Sequence, residues 1–153
     1  MQIILISTTF INIVFGVWLY FVMSKSKLLL NDSSGYISVM TSSSTLSLVA
    51  ALNLYLLFPA DFEITGLLNL LLGIGIGWLF GSMVNAQTLI AGIYNGGIGS
   101  SMGTMAGAVV MNPAICGLPL TILSEQEIII FFALLSICVQ GISALLLLFS
   151  FRA

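Results

Sequence analysis

Apolar residues run along the chain in five long blocks, separated by short polar stretches that hold all the charges. The blocks predict helices over about 3–23, 36–58, 66–84, 88–111 and 128–151. At ~1.5 Å per residue each can cross the ~30 Å hydrocarbon layer of a bilayer. None contains Asp, Glu, Lys or Arg. The fourth connection, Asn85-Ala86-Gln87, is only a polar notch in an otherwise continuous hydrophobic run. The expected fold is all-α: one domain spanning 1–153, a polytopic membrane helix bundle of about five transmembrane helices. No repeat of fixed period divides the chain.

The few charges then set an orientation, because basic residues in short loops mark the cytoplasmic side. Lys25 and Lys27 place the first connection inside and the N-terminus outside. Five crossings put Arg152 and the C-terminus in the cytoplasm, and Asp61, Glu63, Glu125 and Glu127 on the opposite side. Four crossings would move Arg152 outside, so five are preferred. The opening stretch lacks the basic n-region of a secretory signal and its apolar run exceeds an h-region, so it is expected to remain as a span. Trp18, Tyr20, Tyr36, Phe149 and Phe151 suit aromatic belts at the headgroup level. Trp78, inside the predicted third helix, is read as a packing aromatic.

Spacing is the most specific signal in the chain. Gly73, Gly77 and Gly81 recur every four residues, and the next block carries Gly92 and Gly96, then Gly99, Gly103 and Gly107. Residues four apart share a helical face. In lipid, where apolar burial does not drive association, rows of small residues let helix backbones approach closely. A glycine-zipper hairpin of helices 3 and 4 is therefore expected. The plainer reading is that both rows pack within the chain; the alternative is that one ridge is left over for a homo-oligomer contact, another membrane protein or a pore-lining face.

Hydroxyls cluster at Thr41, Ser42, Ser43, Ser44, Thr45 and Ser47, and again at Ser100, Ser101 and Thr104. Asn53, Asn69, Asn95 and Gln140 put amides at membrane depth, where they need partners or water. Such hydroxyls usually bond back to their own helix or across to a neighbour. The alternative is a weakly polar conduit suited to a small neutral solute or a weakly held ion.

Composition narrows the chemistry. The 153 residues are 59% apolar and 5% charged, with a net charge of −2 and three basic residues. Mean hydropathy is +1.22. Too little cationic surface exists for a phosphate backbone, so nucleic acid is excluded as a partner and the bilayer is the expected one. With no histidine in the chain, Ser–His hydrolysis and His-ligated haem or zinc lose their usual participant. No carboxylate falls inside a predicted span, which argues against buried-carboxylate catalysis and proton pumping. The chain is expected not to be an enzyme and to use no cofactor. Cys116 and Cys138 sit in apolar surroundings and are read as small buried hydrophobes rather than a disulfide.

Sulfur offers one soft-metal alternative. Met102 and Met105 lie three apart on one helix face, and Met83, Met111 and Cys116 complete a candidate Cu(I) set. The plainer reading is methionine as flexible packing beside glycine. Asn112-Pro113-Ala114 matches the tripeptide signature of aquaporins. With a single copy and no arginine inside a predicted span it is taken as coincidence, and the segment through Pro119 as a helix stop followed by a short re-entrant or interfacial loop.

From Leu72 to Val110 the chain reads GIGIGWLFGSMVNAQTLIAGIYNGGIGSSMGTMAGAVV after its first leucines. This stretch resembles uncharacterised small Gly- and Met-rich integral membrane proteins of Bacillus-type bacteria, most specifically at Gly96, Gly97, Met102, Gly103 and Met105. The resemblance implies a bacterial cytoplasmic membrane and no particular activity. Two functions of different class are expected. One is a non-enzymatic accessory or assembly module. The other is a small oligomeric transporter or channel, with Cu(I) handling as a lesser variant.

Overall fold

The structure, a computed structural model, describes residues 2–25, 32–58, 61–112 and 125–152. It contains five helices: α1 (Gln2–Lys25), α2 (Asp32–Leu57), α3 (Phe62–Gly81), α4 (Ala86–Met111) and α5 (Glu125–Arg152). Four are long and apolar enough to cross a membrane, over Ile3–Lys25, Gly35–Leu57, Phe62–Gly81 and Gln126–Phe149. The exception is α4, which at 26 residues has the length but not the hydropathy. Its glycines, Thr88, Asn95, Ser100, Ser101 and Thr104 replace the bulky aliphatics that fill the other helices. Five helices were expected to span on composition; that description fits four of them. Lys27, Cys116 and the Pro113–Pro119 segment lie outside the described residues.

The α3–α4 turn also falls earlier than the notch at Asn85–Gln87. α3 starts at Phe62 and ends at Gly81, and α4 starts at Ala86. Met83 and Val84 look like helix because they are apolar, but the capping chemistry lies elsewhere. Asn85 is extended (φ −140°, ψ 167°) and precedes the first turn of α4 as its N-cap. Its backbone N–H donates to Thr88 Oγ1 (2.7 Å), and that hydroxyl is 3.1 Å from the Gly81 carbonyl. The Asn85 carbonyl, at 2.6 Å, is the nearer acceptor for its single hydrogen, so Thr88 closes the first turn of α4 beside the end of α3. At other ends, Glu63 lies in the first turn of α3 and Lys25 in the last turn of α1, each matching the sign its helix dipole favours.

Consecutive helices run antiparallel. Leu5 clusters with Leu52, Leu56, Val110 and Ile129 at one end of the bundle, while Met23, Val39 and Phe80 cluster at the other. Leu19 packs with Ala144 and Leu147, so α1 and α5 run side by side in the same direction. The helix ends place Lys25 and Arg152 at one end, together with Asp32 at the start of α2, and Asp61, Glu63, Glu125 and Glu127 at the other. α2 is the central helix and touches all four others, whereas α4 lies chiefly against α2 and α3.

The glycines account for that arrangement. A Cβ on Gly81 would lie 2.7 Å from Leu89 Cα, and one on Gly96 would lie 3.1 Å from Gly77 Cα. Gly73, Gly77 and Gly81 thus face Gly92, Gly96 and the start of α4 with no room for side chains. The second row faces elsewhere. Gly99 abuts Ser44 and Ser47, Gly103 abuts Leu48 and Ala51, and a Cβ on Gly107 would lie 2.9 Å from the Tyr55 ring. α2 fills this second row.

Candidate functional site

Most of the polar groups flagged along the chain are spent on architecture. On α2, Thr41, Ser42 and Thr45 donate to Ile37, Ser38 and Thr41 carbonyls at 2.7–2.8 Å, and Ser47 to Ser44 at 3.1 Å. Ser100, Ser101 and Thr104 likewise bond back within α4. These hydroxyls satisfy themselves in the preceding turn. Their small size, rather than their polarity, is what lets α4 approach α2. Asn95 Nδ2 donates locally to the Ala91 carbonyl (2.8 Å). Asn69 does more: from α3, its Nδ2 donates to Thr104 Oγ1 on α4 (3.0 Å) and to the Ala51 carbonyl on α2 (3.2 Å).

The sulfur set does not assemble. Met102 and Met105 share a face, as their spacing requires, but are 59% and 61% exposed on the outside of α4 beside Tyr94 and Ile98. Met83 packs near Met23, Val39 and Phe80 at one end of the bundle, while Met111 packs near Leu52 and Val110 at the other. Cys116 is outside the described residues, and Cys138 is free and exposed. Among the described residues no group of three His, Cys, Asp or Glu side chains could hold a metal ion. Trp78 is 60% exposed, not packed inside; because α3 stops at Gly81, it lies in the last turn of the helix.

The remaining amides converge. Asn12 on α1 and Asn53 on α2 both donate from Nδ2 to Ser136 Oγ on α5, at 3.1 and 3.2 Å. Ser136 donates its own hydrogen to the Ala133 carbonyl (2.6 Å), so it can only accept from the two amides. Asn53 Nδ2 also donates to the Val49 carbonyl (2.9 Å). This network dictates which way both amides point: nitrogens toward Ser136, carbonyl oxygens away from it. Asn12 and Ser136 were not among the residues singled out along the chain.

Beside this network lies a chamber of about 180 Å³. Asn12, Asn53 and Gln140 line it together with Thr9 and an apolar wall that includes Leu46, Val49 and Ile76. All three amide side chains are buried, Gln140 to 1% exposure. Asn12 Oδ1, Asn53 Oδ1 and both polar atoms of the Gln140 amide have no hydrogen-bond partner among the described residues. Burying such a group unpaired costs about 1–3 kcal/mol, so four together are a concentration of unmet hydrogen-bonding capacity. Ile13 and Leu72 also line the chamber and are themselves exposed, so it opens between α1 and α3 toward the outside of the bundle.

Compared with protein-family models, characterised proteins and solved structures, the chain matches none of them.

Proposed function

We propose that the chain is a multi-pass cell-membrane protein without enzymatic chemistry, an accessory or assembly module built on glycine-zipper packing. The observation that carries this reading is the commitment of α4 on both sides: Gly92 and Gly96 against α3, and Gly99, Gly103 and Gly107 against α2. A helix so held is a rigid scaffold element, and it needs no catalytic group to do its work. In this reading α4 crosses the bilayer with α3, its polar and small residues turned toward α2 and α3 and its outward face carried by Ile90, Tyr94, Ile98, Met102 and Met105. The end bearing Lys25 and Arg152 is cytoplasmic, with the N-terminus outside, and Trp78 and Trp18 are interfacial anchors. The resemblance of Leu72–Val110 to small Gly- and Met-rich proteins of Bacillus-type bacteria supports a bacterial cytoplasmic membrane. Affinity purification from the native membrane tests the assignment. A stoichiometric membrane-protein partner is the expected result, and a chain that purifies alone contradicts it.

A second reading, a small transporter or channel for a neutral solute, is favoured by one observation: the unpartnered amides beside the chamber.

A further inference from the structure

We infer that the amide-lined chamber is a binding site for a small neutral alcohol that enters from the bilayer, with its hydroxyl on the Asn12–Asn53–Gln140 cluster and its apolar body against Leu46, Val49 and Ile76. Three features select this class. First, the ligand must donate. Ser136 draws both asparagine nitrogens, so Asn12 Oδ1 and Asn53 Oδ1 are left as unpaired acceptors just beneath the mostly apolar lining, and Gln140 keeps an unpaired oxygen and an unpaired NH2 there. A hydroxyl, which donates one hydrogen and accepts at oxygen, complements this set. Second, the ligand must be neutral. No charged side chain lines the chamber, and an ion without a counter-charge at this depth carries a desolvation cost that amide oxygens alone do not offset. Third, it must be largely apolar, because the lining away from the amides is aliphatic and the opening lies between Ile13 and Leu72 on the outer surface. At about 180 Å³ the chamber is of the size of apolar cavities that take up a benzene-sized molecule, roughly 150 Å³.

The test uses two isomers that differ only in the ability to donate. The full chain in lipid nanodiscs is titrated with hexan-1-ol or 1-methoxypentane, and its thermal unfolding midpoint is followed. Binding to the folded state raises the midpoint in proportion to occupancy. The expected result is a saturable rise with hexan-1-ol, with the ether about tenfold weaker or worse because it leaves the amide oxygens unpaired. Gln140→Met, close in length and free of the orphaned amide, is expected to fold at least as stably and to lose the alcohol response. Ala50→Leu fills the chamber from α2 and keeps all three amides; it is expected to lose the response too, and carries the test if Gln140→Met fails to assemble. Equal responses to the two isomers, or a response surviving in the variants, overturn the proposal. So does the absence of any saturable response, which would mean that the chamber holds water alone.

Discussion

Asn69 and Thr104 join α3 to α4 through a 3.0 Å hydrogen bond, and the same amide reaches the Ala51 carbonyl of α2. One side chain thus pins the three helices that the glycines bring together. Asn69 is 2% exposed, so removing it leaves acceptors on two neighbours without their donor. Asn69→Leu is expected to lower the unfolding free energy by about 1–2 kcal/mol and Thr104→Val by about 1 kcal/mol. A double-mutant cycle in detergent titration should return a coupling of about 0.6 kcal/mol or more.

Ser136 is expected to matter more to stability than its size implies. It accepts from Asn12 and Asn53 at once, so Ser136→Ala orphans buried donors on two helices. A loss of about 2 kcal/mol follows from unpaired buried polar groups. Gln140→Met in the same region should lose nothing. Equal losses from the two substitutions would show that the Ser136 bonds are not what hold α1, α2 and α5 in register.

At the α3–α4 turn, Thr88→Val keeps the side-chain shape and removes the hydroxyl that receives the Asn85 N–H. The expected cost is about 1 kcal/mol, the usual value of a helix cap. Gln87→Ala, one position earlier and exposed, should be neutral, because it makes no part of the cap.

The proposed orientation rests on Lys25 and Arg152 lying at the same end of the bundle. A reporter active only outside the cytoplasm, fused after Ala153, is expected to stay silent, and a cytoplasm-specific reporter at the same place is expected to be active. Moving the positive charge, by Lys25→Glu together with a new arginine pair beside Glu63, should reduce that preference.

The helices were legible because hydropathy and charge report them directly, each residue contributing wherever its neighbours lie. The α3–α4 turn was misplaced because Met83 and Val84 are apolar, while the bonds that set it join Thr88 to Asn85. The glycine rows were visible from spacing; which helix each faces was not. That depends on α2, which sets Ser44 and Ser47 against Gly99, Ala51 against Gly103 and the Tyr55 ring against Gly107. The site was half legible. Asn53 and Gln140 stood out as amides in apolar runs, but Asn12 and Ser136 gain their meaning only from a contact 124 residues apart in the chain. Trp78 was misread for a simpler reason: with the helix end placed at 84 it fell inside, and with the end at Gly81 it belongs to the last turn.

Backbone contact at its glycines holds α4 in place, and two nearby positions on α3 test this. A Cβ on Gly75 would meet nothing within 4 Å, while one on Gly77 would meet the Gly92 backbone and lie 2.9 Å from Ile93 Cα. Unfolding free energies of Gly75→Ala and Gly77→Ala, measured in the same bilayer mimic, separate the two environments. Gly75→Ala is expected to be neutral or to gain up to about 1 kcal/mol from helix propensity. Gly77→Ala is predicted to lose about 1–3 kcal/mol by forcing the helices apart. If alanine is tolerated equally at both positions, α3 and α4 do not meet at these glycines.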